Sequence, residues 1–324
     1  MDEDFAARGS ARVAPQVLRS LMGKSDLAGF IQLGSHLLAL GASALLLWTL
    51  WGSWWGVPVF IVHGALINWL YAAQHESSHD TVFRTRWLNE ALGRFTGFVL
   101  MYPRDYDRWQ HFCHHRHTQD PERDAELLGR AREGRLWHAL GLLGVSLWYF
   151  LALRMVWHAV AGRRWPGEEE SYLSEQQERR VVAEARWHLA GYAAFIALSF
   201  ALQTWSVVIL WWAPMLATAW THQIQNYIEH GGMPFVPDTW QNTRTMKTVA
   251  PVRWLSWGMV YHTAHHTYPG VPFHRLSELH AEICRVRGQE PVTVSYLPYW
   301  RDQIRAVFVT PPSARTGPSV TEGS

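Results

Sequence analysis

The sequence predicts an all-α membrane protein with four transmembrane helices in two hairpins and a cytoplasmic helical cap. Three observations lead to this fold class: long apolar runs without charge, tryptophans at the ends of these runs, and histidine clusters confined to the segments between and after them. A charge-free run of about 20 residues is long enough to cross the hydrocarbon layer as a helix. Four such spans rarely occur together in a soluble protein.

The first hairpin is predicted from two apolar runs near the N-terminus. Residues 27–50 and 54–73 contain no Asp, Glu, Lys or Arg, and only the sequence WGS separates them. Each run matches the length of a membrane-spanning helix. The short connection favours a tight helical hairpin.

The second hairpin is predicted from the charge-free run 188–224, which is nearly twice as long. A weak polar break at Gln203 and Thr204 divides it, so we predict spans over about 188–204 and 206–224. Tryptophans lie mostly at the ends of the four runs, where an interfacial aromatic belt places them. They are Trp48, Trp51, Trp54, Trp55, Trp69, Trp187, Trp205 and Trp220.

Residues 136–160 form a further apolar segment that contains Arg154 and His158. An arginine near the middle of a span is energetically expensive. A single crossing would also move the basic loop at 163–164 to the other side of the membrane. We therefore predict a helix that lies in the interface or dips into it, and a fifth span is the alternative.

The distribution of basic residues predicts the orientation. Residues 1–26 contain Lys and Arg but no apolar core of a signal peptide, so we predict a cytoplasmic segment. The segments 74–186 and 225–324 hold nearly all other Lys and Arg, which places both termini and the histidine clusters in the cytoplasm. Two cysteines are too few for a disulfide framework, in agreement with a reducing compartment. We expect the membrane domain over 27–310 and a disordered tail over 311–324.

Three histidine clusters mark the cytoplasmic segments: HESSH at 75–79, HFCHH at 111–115 and HTAHH at 262–266. On a helix, positions i, i+3 and i+4 share one face, so each cluster presents its imidazoles in one direction. A chain with 18 histidines in 324 residues very rarely contains two HxxHH patterns by chance, whereas one HxxxH is unremarkable. The set of three therefore indicates a site.

A fourth element follows the last apolar run. The sequence NYIEH sets Asn226 and His230 one helical turn apart at the cytoplasmic end of that run, and His222 lies one turn earlier. A single histidine here would more often be structural. The three clusters on the same side favour a role as a ligand.

Imidazole is a ligand of zinc, copper, iron and nickel. A structural zinc site has four ligands and favours cysteine, whereas eight or nine histidines exceed one coordination sphere and fit two metals. A polynuclear histidine site at a membrane surface fits iron used for O₂ chemistry on a lipophilic substrate. Spacing alone leaves copper and zinc open.

HESSH, HFCHH and HTAHH, in this order around two helical hairpins, resemble the integral-membrane fatty acid desaturase and hydroxylase superfamily of non-haem di-iron enzymes. The resemblance covers roughly residues 27–285, and HTQDPERDAE and NYIEHGG add to it. It implies four spans below a cytoplasmic cap that holds two irons. By position, it implies that His230 and Asn226 also serve the site, the latter through water. The box ligands that it implies are His75, His79, His111, His114, His115, His262, His265 and His266.

The resemblance implies an O₂-dependent desaturase that introduces a double bond into a fatty acyl chain or a related lipid. The alternative is a hydroxylase or monooxygenase of a lipid, alkane-like or carotenoid substrate, because NYIEHGG also resembles a segment of bacterial alkane hydroxylases. A membrane metal-binding or transport protein is a third hypothesis. It predicts ionisable residues within the spans, and these carry only His36, His63 and, at a boundary, His188.

The expected partners follow from this chemistry. The sequence contains no cytochrome-like or ferredoxin-like segment, so we expect an external electron donor of the ferredoxin, rubredoxin or cytochrome b5 type. The other expected partners are a lipid or acyl substrate and the membrane. The net charge of +2 says little about partners, and we expect no nucleic acid.

Overall fold

A computed structural model describes residues 12–127, 135–166 and 172–308. The tail predicted over 311–324 and the first eleven residues lie outside these ranges. The described chain is helical apart from one parallel pair of short strands, β1 (Thr245–Lys247) and β2 (Thr293–Ser295), so the predicted all-α class is confirmed. The helices are α1 (Pro15–Leu21), α2 (Asp26–Leu50), α3 (Gly56–Asn68), α4 (Leu70–Ser78), α5 (Arg86–Val99), α6 (Arg104–His117), α7 (Arg135–Leu142), α8 (Val145–Ala161), α9 (Glu175–Ala201), α10 (Ala213–Ala217), α11 (Trp220–His230), α12 (Thr239–Asn242), α13 (Ala250–Leu255), α14 (His262–Thr267), α15 (Leu276–Arg287) and α16 (Tyr296–Phe308). A π-helical turn spans Val208–Trp212, and 3₁₀ turns span Met259–Tyr261 and Phe273–Arg275.

The first predicted hairpin is formed by α2 and by the combined helix Gly56–Ser78. Among the described helices, these two are long and apolar enough to cross a membrane. Ser25 starts α2, because its side chain accepts a hydrogen bond from the backbone N–H of Ala28. The second helix is interrupted at Trp69 and continues to Ser78, beyond the predicted end at residue 73, so that it carries the first four residues of the HESSH cluster.

The second predicted hairpin differs from two simple helices. The run 188–204 forms the end of α9, which starts earlier at a capping box between Ser174 and Gln177. The run predicted as a span over 206–224 is not one uninterrupted α-helix, since it contains the π-helical turn, α10 and the start of α11. Pro214 is the physical reason, because it has no N–H to donate to the carbonyl of Leu210.

Neighbouring side chains compensate for this interruption. The ring Nε2 of His63 on α3 lies 2.8 Å from the carbonyl oxygen of Leu210 and donates the missing hydrogen bond. Asn68, the last residue of α3, donates to the carbonyl of Met215 at 2.8 Å. Gly64 permits this close approach, since a Cβ atom there would overlap the carbonyl oxygen of Pro214. Helix α3 is therefore tied directly to the interrupted segment.

The segment 136–160 forms two helices, α7 and α8, instead of the predicted single one. Gly144 separates them and adopts a positive φ of 73°, a conformation that L side chains rarely adopt. A Cβ at Gly144 would also lie 2.8 Å from the Cβ of Ala219. Arg154 on α8 donates to the hydroxyl of Tyr106 on α6 at 2.8 Å, so the charged side chain of this apolar helix has a protein partner.

The cap brings α4, α6, α11 and α14 together at one end of the apolar helices. Helix α14 is held from outside by an apolar cluster with α15, in which Val271, Leu276 and Leu279 are fully buried. A second core, around Phe83 and Trp257, packs the first half of α4 against the turn after α13. The fold thus fixes the four helices that carry the histidines.

Candidate metal centre

The first histidine group contains five side chains from three helices. Helix α4 supplies one and the residue directly after it supplies another, α6 supplies two and α14 supplies one. One ring nitrogen from each lies within 4.8 Å of those of all the others. The members are His75, His79, His111, His115 and His265.

The second histidine group lies beside the first and joins α6, α11 and α14. One ring nitrogen each of His114, His230 and His266 lies within 4.8 Å of the other two. The Nε2 of His230 is also 2.8 Å from the Nε2 of His262 and 3.2 Å from that of His114. We include His262 in this group because of the first contact.

The spacing of the clusters explains this division. On α6, positions i and i+4 (His111 and His115) belong to the first group and position i+3 (His114) to the second. On α14, His265 belongs to the first group while His262 and His266 belong to the second. All of these positions lie on one face of their helix. The two groups meet along that face, and each helix serves both.

Hydrogen bonds among the rings do not account for the contacts within the first group. The Nε2 of His111 lies 2.9 Å from the Nε2 of both His79 and His115, and the Nε2 of His115 also lies 3.2 Å from that of His265. A neutral ring nitrogen carries either one proton or one lone pair. If Nε2 of His111 carries the lone pair, that lone pair has to accept from both His79 and His115. The single proton on Nε2 of His115 then has to be shared between His111 and His265. A cation that accepts a lone pair from every ring removes this conflict, so the residues fit a metal ion.

Two carboxylates orient rings on α6 through the nitrogen that faces away from the group. Asp124 accepts from Nδ1 of His114 at 2.9 Å, and Glu126 accepts from Nδ1 of His111 at 3.4 Å. A proton held on Nδ1 leaves the lone pair on Nε2, which is the arrangement found behind metal-binding histidines. These carboxylates thus set the tautomer of both rings.

A backbone carbonyl accepts a hydrogen bond from one further ring, and two carboxylates lie near two others. Nδ1 of His230 donates to the carbonyl of Asn242 at 3.2 Å. The carboxylate oxygens of Glu229 and Glu76 approach Nδ1 of His262 at 3.3 Å and of His265 at 3.8 Å. Two other acidic residues near the histidine clusters pair with arginines instead: Asp80 with Arg108 and Asp120 with Arg123.

Burial keeps these histidines neutral. Together with the neighbouring ring of His114, burial lowers the pKa of His230 to about 3. Burial also lowers the pKa of His111, and it lowers the pKa of His115 and His266 well below the ordinary value. A histidine must be neutral to bind a metal. The site is therefore prepared for a cation at neutral pH.

Asn226 does not join either histidine group. It lines a small cavity with His222 and Glu126, and within the described residues no hydrogen bond links its carboxamide to a histidine. His222, Asn226 and His230 nevertheless lie on one face of α11. The first two border the cavity, and His230 reaches the second group. Cys113 also lies outside both groups, and its Sγ donates to the carbonyl of Arg123 at 3.2 Å.

Sequence reasoning missed three residues that hold the rings: Glu126, Asn242 and Thr118. The Glu126 backbone N–H donates to Asp124 at 2.9 Å in a local turn, so its place in HTQDPERDAE offers a signal. Thr118 Oγ1 lies 3.2 Å from Nδ1 of His266. The partnership of Asn242 with His230 depends on a carbonyl oxygen, for which side-chain patterns give no signal.

Comparisons with known proteins identify relatives of this chain. The family model described as fatty acid desaturase matches residues 49–298. A dihydrorhizobitoxine desaturase of Bradyrhizobium elkanii is 26% identical over 271 residues, 77% of this chain and 72% of the relative. Two sn-1 oleoyl-lipid 12-desaturases are also similar. The one from Picosynechococcus sp. is 24% identical over 261 residues, 72% of this chain and 70% of the relative. The one from Anabaena variabilis is 22% identical over 248 residues, 72% of this chain and 57% of the relative.

Proposed function

The chain belongs to the fatty acid desaturase family, and on this premise we propose that it is an O₂-dependent di-iron desaturase that introduces a double bond into a fatty acyl chain or a related lipid. The family and the desaturase names of its relatives identify the chain as an oxidoreductase. The observation that carries the proposal is the convergence of nine buried or half-buried histidines into two adjacent groups.

We assign one iron to each histidine group. His75, His79, His111, His115 and His265 would hold the first, and the second group (His114, His230, His262 and His266) would hold the other, with Asn226 acting through water. The nitrogen contacts that ring-to-ring hydrogen bonds cannot satisfy support this assignment. Iron supplies, when bound and reduced, the chemistry that activates O₂ and removes hydrogen from an unactivated C–H bond.

The chain's own residues keep the site ready for that chemistry. Asp124 retains the proton on Nδ1 of His114 and leaves Nε2 free to bind. Glu76 is fully buried behind His265, where Thr81 and the backbone N–H of Phe273 donate to its carboxylate at 2.7 and 3.1 Å. This anchoring fixes α4 against the turn that follows α14. Burial excludes water, which protects reactive species from side reactions.

We propose four membrane spans over about 27–50, 54–73, 188–204 and 206–224, within a membrane domain of residues 27–310. The large exposed apolar side chains of α2 support a lipid-facing surface. Trp54 and Trp55 at the hairpin turn are 91% and 75% exposed, as expected for an interfacial belt. His63 satisfies the carbonyl that Pro214 leaves free, and a membrane helix tolerates proline when a neighbour does this.

The proposed orientation places both termini and the metal centre in the cytoplasm, because the basic residues lie in those segments. Electrons would come from an external donor of the ferredoxin, rubredoxin or cytochrome b5 type. The chain's two cysteines are fewer than the four that ligate an iron–sulfur cluster, which supports a separate donor.

The test combines metal analysis of the purified protein with mass spectrometry of lipids from cells with and without it. About two irons per chain and products that have lost two hydrogens are expected. Stoichiometric zinc or copper in an active sample would overturn the di-iron assignment, and a gain of one oxygen would identify a hydroxylase instead. His265→Ala serves as the inactive variant, and His280→Ala, which lies outside both groups, is the matched control.

A further inference from the structure

Helix α5 carries an exposed apolar edge that no other described segment covers. Trp87, Ala91 and Phe95 follow one another at intervals of four residues, so they lie along one side of the helix. Trp87 is 66% exposed and Phe95 is 47% exposed, and Ala91 is exposed as well. A row of exposed apolar side chains on an amphipathic helix is typical of a surface that meets another apolar phase.

The polar edge of α5 faces the cap. Arg94 donates to Glu90, one turn earlier, at 3.0 Å. It also donates to Glu184 of α9 at 3.2 Å and lies 3.5 Å from the carboxylate of Asp105 on α6. Glu90 and Ala91 are neighbours in sequence, so their side chains point about 100° apart around the helix axis. The apolar edge is therefore turned away from these charged partners in the cap.

The start of α5 is tied to the start of the first proposed span. Thr85, which directly precedes α5, donates to the carboxylate of Asp26 through its backbone N–H at 2.9 Å and through its hydroxyl at 2.8 Å. Asp26 is the first residue of α2. Next to this contact, the rings of Phe83 and Phe30 lie 5.0 Å apart. The N-terminus of α5 thus lies at the level where the first span enters the membrane.

The end of α5 is tied to the first turns of the third proposed span, on α9. The hydroxyl of Tyr192 donates to the carbonyl of Phe98 at 2.9 Å. The ring of Phe98 lies 5.3 Å from that of His188 and 6.1 Å from that of Phe195. Gly191 permits this packing, because a Cβ atom there would overlap the ring of Phe98. The C-terminus of α5 therefore also lies at the membrane boundary.

A helix that contacts the cytoplasmic ends of two spans runs along the membrane surface. With 14 residues, α5 is about 21 Å long. The exposed apolar edge continues an apolar surface on the adjoining helices, where Leu27 of α2 is 70% exposed and Trp187 of α9 is 77% exposed. Two exposed arginines at the start of α5, Arg84 and Arg86, suit the phosphate groups that border the acyl region. These features fit a lipid surface.

We propose that α5 lies in the cytoplasmic interface of the membrane, with the edge formed by Trp87, Ala91 and Phe95 at the boundary between headgroups and acyl chains. The inference rests on the proposed membrane spans. Leu92 of α5 shares an apolar core with Ala73 of α4, which directly precedes the histidines of that helix. The contact with lipid thus holds the histidine-bearing end of α4 at the leaflet that contains lipid substrates.

The test attaches a nitroxide spin label to single cysteines and measures by EPR how often O₂ and a water-soluble nickel complex collide with it. The protein is full-length, iron-loaded and reconstituted in vesicles of phosphatidylcholine and phosphatidylglycerol, with Cys113→Ser and Cys284→Ser as the background. O₂ concentrates among acyl chains, whereas the nickel complex stays in water. Labels at Trp87→Cys, Ala91→Cys and Phe95→Cys should therefore collide more often with O₂ than with the nickel complex.

Three matched positions calibrate the collision ratio. Leu38 on α2 is 76% exposed and reports a proposed lipid-facing surface. The side chain of Arg285 on α15 is 70% exposed and reports a surface in water. Glu90 belongs to the polar edge, so the ratio of O₂ to nickel collisions at Glu90→Cys should be several times lower than at Ala91→Cys.

A ratio at the three apolar positions equal to that at Arg285 would place the edge in water and overturn the inference. Low collision rates with both reagents would show that protein covers the edge, and would overturn it too. If the cysteine-free chain does not fold, benzoylphenylalanine in place of Trp87 or Glu90 in the otherwise native chain decides, since only the former should crosslink to lipid. A label at Leu38 in lipid with the α5 edge in water refutes the inference alone, whereas the reverse refutes the proposed spans alone.

Discussion

Replacement of Asp124 by asparagine tests how the chain orients the second histidine group. The Asp124 carboxylate is fully buried and lies 2.9 Å from Nδ1 of His114. Its Oδ1 also accepts from the backbone N–H of Glu126 and its Oδ2 from that of Gln119, both at 2.9 Å. An asparagine in either orientation sets its NH₂ group against one of these N–H groups. The ring of His114 therefore loses both its charge partner and its fixed position.

The size of the effect follows from the role of that contact. Loss of a hydrogen bond behind a metal-binding histidine typically lowers metal affinity about 10- to 100-fold, which corresponds to about 1.4–2.8 kcal/mol. His114 belongs to one group only, so the iron of the second group should be lost first. Asp124→Asn protein should therefore carry about one iron, while the wild type carries about two.

The assay is iron content per chain during titration with a chelator, on purified protein whose fold is checked by circular dichroism. Asp120→Asn is the matched control, because the Asp120 carboxylate pairs with Arg123 and, among the described residues, this side chain contacts no histidine. Chelator resistance of Asp124→Asn equal to that of the wild type would refute the role of this carboxylate. An equal loss in both variants would show that the effect lies in the loop and not in the ring.

Three further predictions use other residues of the site. Cys113→Ser should keep full turnover, because Sγ only donates to the carbonyl of Arg123 and a serine hydroxyl can do the same; loss of turnover in a folded, iron-loaded variant would show that the thiol takes part in the chemistry. His230→Ala should lose iron and turnover together, whereas Asn226→Ala should keep most of its iron with slower turnover; equal, mild effects measured by metal analysis would contradict both assignments. Burial raises the pKa of Asp107 to about 7, so the stabilising contribution of its protonated form is complete below about pH 4 and is lost as the pH rises through about 7. Asp107→Asn should flatten the pH dependence of the unfolding temperature in that window, and an unchanged slope would contradict this.

The sequence predicted the helical segments that carry histidines because their signal is local. HxxHH places three side chains on one face of a helix whatever surrounds it, and α6 and α14 follow that rule. The break at Pro214 was also available locally, since proline removes a helical hydrogen bond. Its compensation by His63 depends on packing between α3 and the later segment, which periodicity does not reveal.

Tertiary contacts also decide which ring joins which group. The pattern of α6 does not state that His114 separates from His111 and His115, because that division depends on where α11 and α14 lie. The cavity beside Tyr71 has the same origin, as its walls come from five helices and three connecting segments. Sequence patterns indicated the ligands, and packing alone could indicate their assignment and the cavity.

The division of α6 and α14 between both histidine groups has a consequence for how the protein acquires metal. An ion bound in either group would clamp the same two helices, so the entropy of ordering them is lost only once. The ion that arrives second then meets helices that are already fixed, and it binds more tightly than it would alone. Iron uptake by the apo-protein should therefore be sigmoidal, with few chains that carry a single ion. Variants such as Asp124→Asn, which weaken one group, should populate that half-loaded form.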